Sequence, residues 1–514
     1  SHPSRLCLLV QSVKEMKAIF FGLLIALLCA VAFSSSNDVT AKSAGQDDPL
    51  SLYWAAMDKN TDGHVDMDEA SAFFTKVFGH KASMKQVAGV FKKLDKNRDG
   101  VIQVQEFAAK YASTFVPMAT TVPQQLHLAL TGNKSEMRIT WITKDPVTTP
   151  YVTFGVDMKN LNMRSQATTS TYSVGTFLPW VGWIHTAVMT GLSPLTTYYY
   201  AVGASDAPFS SVRSFKTEPA SPAKTTIALY GDMGTVLPFG FEVAFQIVQD
   251  NQVTPYDLVV HAGDIAYGGT GHTWEFEFLW DLFGRQVDSY ASYVPYMTAV
   301  GNHEHYFDYA SYSARFQMPS ANSGGYKNFW LSFDHSLAHW VFMSTEHDYT
   351  PGSEQYNWLV QDLTKAVQNR ARVPWIFLVG HRPMYSSDAG EWTSHRPGAS
   401  FAANIEPLML KYNIDIYWSG HQHCYERTWP QINGTAITYP DNRYIKPMRP
   451  AYIVQGSAGA FIGEAWIEPR PSWSAFREQE YGYGRLTLFN STTMYYEYLS
   501  TNIEEVRDSF WLIK

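Results

Sequence analysis

The sequence predicts a multidomain chain of three successive parts: an α-helical pair of cation-binding hands, an all-β sandwich of fibronectin or immunoglobulin type, and an α/β sandwich that carries the chemistry. Three observations predict it. Two loops of one twelve-residue design, DKNTDGHVDMDE and DKNRDGVIQVQE, stand near the front at 58–69 and 95–106. A stretch rich in Thr, Val and Tyr follows, with apolar residues alternating as they do in half-buried strands. From Thr225 onward, five short apolar runs each break at a Gly-led loop that offers a residue able to bind a metal.

The front of the chain reads as a leader. Met16 and Lys17 open an almost wholly apolar run at 18–32, which has the length of a signal-peptide core and falls short of the ~20 residues a spanning helix needs. Ala30, Val31 and Ala32 give the small-x-small pattern of a cleavage site, so residues 1–32 are expected to be removed. The product would enter a secreted, extracellular or secretory-pathway compartment with no stable membrane span. Cys7 and Cys29 lie before or inside the leader, which leaves Cys424 alone and no internal disulfide. Asn133, Asn433 and Asn490 each open an N-x-S/T triplet and are glycosylation candidates. A net charge of −8, with the 39 Lys and Arg residues scattered, offers no footprint for nucleic acid. At 45% apolar residues the chain can bury several cores. Oligomeric state is not encoded in any of these features.

Residues 48–113 form the first part, an EF-hand pair. A hard cation takes oxygen ligands at alternating positions of a tight loop. Asp58, Asn60, Asp62, the His64 carbonyl, Asp66 and Glu69 provide them in loop one; Asp95, Asn97, Asp99, the Val101 carbonyl, Gln103 and Glu106 do so in loop two. Gly63 and Gly100 stand where the loop turns back. Trp54 with Met57, and Phe91 with Leu94, mark the helices leading in, while Val65 and Ile102 should pair as a short β-bridge. Loop one carries a carboxylate, Asp66, where loop two carries Gln103, so loop one is expected to bind Ca²⁺ more tightly.

Residues 120–218 form the second part. Met137, Ile139 and Trp141 alternate, and further strand-like runs fall at 151–156, 184–189 and 197–202. Leu192, Pro194, Thr196 and Tyr198 resemble a corner at which a tyrosine hydroxyl ties a turn to the backbone. Trp141 is expected in the core. Residues 218–223, rich in Pro and Ala, read as the linker to the third part.

Residues 224–500 form that third part. The run at 227–230 leads to Asp232, that at 258–260 to Asp264 and Tyr267, and that at 296–300 to Asn302 and His303. The run at 375–379 leads to His381, and that at 414–418 to His421 and His423. Continuously apolar strands with helical segments between them, such as 356–367, imply an α/β sheet with these ligands at the carboxyl edges of its strands.

The blocks GDMG, GDIAY, GNHE, LVGH and GHQH, in this order, resemble the five blocks of the calcineurin-like metallophosphoesterases. Most of that superfamily place a histidine two residues after the first aspartate; here that position is Gly234, and Tyr267 follows the second aspartate. That exchange resembles the purple acid phosphatases, as do HRPMY at 381–385 and YERTWP at 425–430. The likeness covers about residues 120–500, and the EF-hand pair lies outside it. It implies an acid phosphatase acting on phosphorylated small molecules, with Fe(III) held by Asp232, Tyr267, His423 and a shared Asp264. A divalent Fe, Zn or Mn would be held by Asp264, Asn302, His381 and His421. A hydroxide on the metals would attack phosphorus in line. His303 is expected to orient the phosphate and assist the leaving group. Plant members carry a histidine pair after the fourth block, where this chain has Gly390 and Glu391, which leaves His395 as the nearest imidazole for a proton donor. Cys424 is expected to pack beside the site without ligating. Two other readings share these residues: a phosphodiesterase or nucleotide pyrophosphatase on the same metals, and a calcium-dependent binding protein without catalysis.

Overall fold

The computed structural model describes residues 49–78, 82–111, 119–174, 180–268, 277–463, 465–501 and 505–514. The leader expected at 1–32, with its cleavage site, lies outside them.

Helices Pro49–Met57, Met67–Phe78, Met84–Leu94 and Val104–Tyr111 build the EF-hand pair. Ser83 and Gln86 start the third of them with reciprocal hydrogen bonds, Gln86 N–H to Ser83 Oγ at 3.3 Å and Ser83 N–H to Gln86 Oε1 at 2.7 Å. Val65 pairs with Ile102 between the loops, as their positions predict. The helices bury one aromatic face, with Tyr53 against Phe73 and Phe107.

The all-β part has two four-stranded sheets. One runs Gln124–Ala129, Met137–Thr143, Trp183–Met189, Thr168–Ser170; the other runs Arg213–Lys216, Thr197–Gly203, Tyr151–Gly155, Met163–Gln166. Their facing side chains, among them Ile139, Trp141, Val152, Tyr200 and Phe215, form one core. Tyr198 closes the expected corner, its hydroxyl oxygen accepting the Ser193 N–H at 3.0 Å. Lys144 and Trp180 from this part reach Asp281 of the next at 2.7 and 2.9 Å, and Arg315 meets the same carboxylate at 3.0 Å. Lys144 and Arg315 hold the Asp281 carboxyl well below its usual range even though burial pushes the other way.

Two seven-stranded mixed sheets make the third part. In the first, Tyr296–Ala299, Leu258–Ala262 and Thr225–Tyr230 run parallel, and an antiparallel meander of Gly482–Leu488, Thr493–Ser500 and Glu505–Ile513 extends it to Arg443–Ile445. In the second, Ala338–Phe342, Trp375–Val379, Ile416–Ser419 and Ala451–Gln455 run parallel between Leu331–His335 on one side and Tyr425–Thr428 with Ser474–Glu478 on the other. The sheets face each other through Trp418 against Tyr496 and Tyr425 stacked on Tyr498, at 5.1 and 4.1 Å between ring centroids. Helices cover the outer faces: Glu277–Ala291 meets the first sheet through Tyr290 and Phe283, and Glu354–Gln368 meets the second through Asp362. Strands covered on both faces are buried at every position and so mostly apolar, which is why these runs show no alternation in the sequence. Among the described residues no helix is long and apolar enough to cross a membrane.

Candidate metal centre

Each of the five expected runs ends where the two sheets meet. Asp232, Asp264 and the short turn Asn302–Glu304 follow parallel strands of the first sheet; His381 and the pair His421 and His423 follow strands of the second. The seam between the sheets therefore collects side chains from widely separated parts of the chain. Asp232, Asp264, Tyr267 and His421 hold φ between 51° and 71°, a left-handed conformation that costs roughly 1 to 3 kcal/mol at such residues and persists only where surrounding contacts enforce it.

Two groups share the seam. Around Asp232, Tyr267 places its hydroxyl 3.2 Å from Asp232 Oδ1 and 3.0 Å from His423 Nε2, and the Asp232 carboxylate lies 3.6 Å from the same imidazole. The His423 Nδ1–H donates to the Phe461 carbonyl at 2.9 Å, which leaves Nε2 as the nitrogen that faces the group. Around Asp264, His381 Nε2 lies 3.2 Å from the carboxylate, 3.0 Å from Asn302 Oδ1 and 3.3 Å from His421 Nδ1. His303 stands between the groups, its ring 4.3 Å from that of Tyr267 and its Nε2 3.9 Å from Asp264 Oδ2. All seven expected ligands and His303 are thus brought together.

Gly234 explains why the tyrosine can be there. A β-carbon at that position would lie 2.8 Å from the Tyr267 ring, and its φ of +56° already disfavours a side chain. A histidine at 234 and a tyrosine at 267 would compete for one space. Gly301 is needed in the same way, since a β-carbon there would stand 2.3 Å from Asp264 Oδ1.

The charges show what the seam accepts. Burial depresses an imidazole, yet the Asp264 and Asp232 charges push His381 up to about 10. Burial would raise Asp264, but His381 and His303 hold it well below the usual carboxylate range. Tyr267 is pushed far up, by burial first and then by Asp232 and Asp264. A buried phenol raised by nearby carboxylates would lose its proton only where a strongly charged cation took the proton's place on the oxygen, so a hard, highly charged ion beside Asp232 and a softer one beside the imidazoles fit the donor set.

His421 belongs to two clusters, one with Asp264 and His381, the other with Glu391 and His395. Its Nδ1 faces the first and its Nε2 the second, 3.0 Å from Glu391 Oε2. With Nδ1 given to a metal, Nε2 carries the proton and donates it to Glu391, the arrangement in which a carboxylate orients a metal-binding histidine. Arg382 Nη1, which can only donate, lies 2.9 Å from that nitrogen and 3.8 Å from Glu391 Oε2, so with Nε2 protonated its partner is the carboxylate, while its other guanidinium nitrogens grip Glu346 at 2.9 and 3.1 Å. His395 is buried, with Nδ1 at 2.7 Å from the Pro383 carbonyl and Nε2 at 3.1 Å from the same Glu391 oxygen.

Sequence reasoning singled out the residues that the seam gathers and missed their supports. Glu391 stood out only as a missing histidine. Arg382 lies within HRPMY, whose spacing carries no sign of Glu346. Glu304 ties the loops by accepting the Asp264, Ile265 and Gly301 N–H groups at 2.8 to 2.9 Å, and Phe461 acts through a carbonyl that every residue type possesses. Cys424 is buried and forms no disulfide. Asn133, Asn433 and Asn490 are all exposed.

The EF-hand loops are wound for a cation. Asp58 Oδ2 accepts the Gly63 N–H and Asp95 Oδ2 the Gly100 N–H, each at 3.1 Å, while Asn60 and Asn97 accept from Asp62 and Asp99 at 2.9 Å. Gly63 and Gly100 take φ of 84° and 92°. Asp58 Oδ1 is buried without a hydrogen-bond partner, an orphaned oxygen that a calcium ion would satisfy. In loop two, Gln103 Nε2 donates to Asp99 Oδ2 at 2.9 Å, so an amide occupies oxygen that loop one leaves to Asp66 and Asp62.

Residues 50–112 match the family described as EF-hand domain pair, 123–217 the Purple acid Phosphatase N-terminal domain, 225–425 the Calcineurin-like phosphoesterases, and 449–509 the Iron/zinc purple acid phosphatase-like protein C. Human acid phosphatase type 7 is 33% identical over 413 residues, 77% of this chain and 92% of that protein. Purple acid phosphatase 18 of Arabidopsis thaliana is 30% identical over 406 residues, covering 77% of this chain and 85% of that one. The solved purple acid phosphatase from yellow lupin (Lupinus luteus) seeds superposes with a TM-score of 0.69 at 26% identity, over 76% of this chain and 74% of that one.

Proposed function

Because the chain belongs to the purple acid phosphatase family, with an EF-hand pair added at its front, we propose that it is an acid phosphatase releasing inorganic phosphate from monoesters of small molecules. The observation that carries this reading is the Tyr267 hydroxyl set between Asp232 and His423, with Gly234 cleared to admit its ring. Asp232, Tyr267, His423 and Asp264 would hold Fe(III), and Asp264, Asn302, His381 and His421 a divalent Fe, Zn or Mn. Such a pair supplies Lewis acidity and a nucleophile available below neutral pH.

The chain's own residues do the rest. His303, its ring tilted against that of Tyr267 and its Nε2 3.9 Å from Asp264, would donate to a phosphate oxygen and steady the ester in line. Glu391 holds His421 and His395 through one oxygen and is half exposed, so it takes the place at the mouth of the site, with His395 buried behind it. We assign the leaving-group side to Glu391 and His395 together. The mature protein is read as secreted, with Ca²⁺ in both EF-hand loops and glycans on the exposed Asn133, Asn433 and Asn490.

The purified protein should carry iron and show a visible absorption band that disappears in Tyr267→Phe. It should also cleave an aryl monoester at least ~10-fold faster than the matching diester. A colourless enzyme of full activity would defeat the iron assignment, and faster diester cleavage would move the chain to the phosphodiesterases.

A further inference from the structure

The EF-hand pair is not a separate appendage. Its apolar core is continuous with that of the catalytic part. Helix Pro49–Met57 packs on helix Glu277–Ala291, and Lys93 pairs with Glu242 at 3.2 Å. Gly89 faces Phe239, whose Cζ stands 3.6 Å from where a β-carbon would lie.

One contact leads to the metal centre. Phe74, buried in helix Met67–Phe78, meets the ring of Phe461 edge to face at 4.9 Å. The carbonyl of Phe461 is the acceptor that fixes the His423 imidazole, and the preceding Ala460 N–H donates to the Asp232 carbonyl at 2.8 Å. The loop under Phe74 therefore sets two residues of the Tyr267 group at once.

The same helix begins at the calcium loop. Glu69, in its first turn, accepts the N–H groups of Lys59, Asn60 and Asp66 at 3.0 to 3.2 Å. Asp66 caps that turn, accepting the Asp68 and Glu69 N–H groups at 2.9 and 2.8 Å. A calcium ion in this loop would be gripped through both Glu69 carboxylate oxygens, which would tie the loop to the start of the helix that carries Phe74. Phe74 lies little more than one turn further along.

We propose that calcium loading of the EF-hand pair tightens the wall of the metal centre, acting from Glu69 through Phe74 and Phe461 on the orientation of His423. The route rests on the reading of the loops as calcium sites and of His423 as a metal ligand. It makes the front module a calcium-dependent clamp on metal retention. Groups that orient a ligating histidine typically change metal affinity or activity 10- to 100-fold, and a calcium-dependent change at the lower end of that range is expected.

The test uses the iron-loaded full chain. Calcium binding is measured by calorimetry, and iron loss to a hydroxamate chelator is followed by elemental analysis, with and without saturating calcium. Calcium should slow iron loss about tenfold in the parent protein. Phe74→Ala should bind calcium with unchanged stoichiometry and lose the slowing; Phe74→Leu, which keeps most of the volume without the ring edge, serves if the alanine variant does not fold. Calcium binding with unchanged or faster iron loss overturns the coupling. A Phe74 variant that keeps the full slowing overturns this route. Absence of calcium binding in the calorimeter overturns the reading of the loops themselves, and the inference with it.

Discussion

Asp58 and Asp264 are both buried aspartates proposed as cation ligands, and they are held in opposite ways. Asp58 finds its backbone partner five residues along, at Gly63. Asp264 touches the His303 N–H and the His381 ring, and its own N–H goes to Glu304, all on other strand ends. The EF-hand loop is a local object whose shape is written in twelve consecutive residues. The strand-end centre exists only once two sheets have closed on each other. Loss of a group should therefore disturb one loop at the front, reaching the centre only through the Phe74–Phe461 contact, and spread directly through the whole centre at the back.

Asp264→Asn gives the largest effect. It removes a charge shared between both halves of the centre, a loss of several kcal/mol of charge stabilisation, at 1.4 kcal/mol per tenfold. Turnover should fall ~10³-fold or more and bound metal should fall well below two ions per chain, with the circular dichroism spectrum retained. Asp58→Asn should weaken one calcium site ~10-fold, leave the other intact and keep turnover within about tenfold of the parent. Equal, local effects from the two substitutions would break the contrast.

The contrast also explains what could be read before the fold was seen. Both EF-hand loops and all seven candidate ligands are legible in the sequence, the first by their spacing and the second because each buried strand ends in a glycine-led block. Gly234 and Tyr267 were legible as an exchange, although the reason, one ring filling the space of another side chain, appears only in three dimensions. The supports were not legible. Glu346, Glu391 and the Phe461 carbonyl meet the centre from loops far from the ligands they orient, and no periodicity marks such meetings. The antiparallel meander at 482–513 likewise has no chemistry to announce it, and its parallel pairing with the edge strand Arg443–Ile445 joins segments far apart in the sequence.

Glu391→Gln sharpens the comparison at the next level. It keeps an acceptor oxygen for His421 but removes the carboxylate charge, so kcat/KM and affinity for the divalent ion should drop about 10-fold. Glu391→Ala, which also leaves His421 Nε2 and His395 Nε2 without that oxygen, should lose nearer 100-fold. Metal titration monitored alongside turnover separates the two. If neither variant changes either quantity, the orienting role falls, and the assembled centre is less cooperative than its geometry implies.

Tyr198→Phe should give the smallest effect, and it probes a local object inside the β-sandwich rather than a metal loop. The tyrosine hydroxyl accepts the Ser193 N–H across five residues, and the corner was read from LSPLTTY before any sheet was known. Removing the oxygen leaves one partly buried N–H without that acceptor while the ring stays packed near Phe154 and Phe215. A net hydrogen bond of this kind contributes about 1 kcal/mol. The substitution should lower the denaturant midpoint by a corresponding amount at unchanged slope, with turnover and iron content unaltered, because the corner lies in the other module from the strand ends. A change in iron retention would show that the sandwich supports the centre directly, and would extend the assembled character of that site beyond its own two sheets.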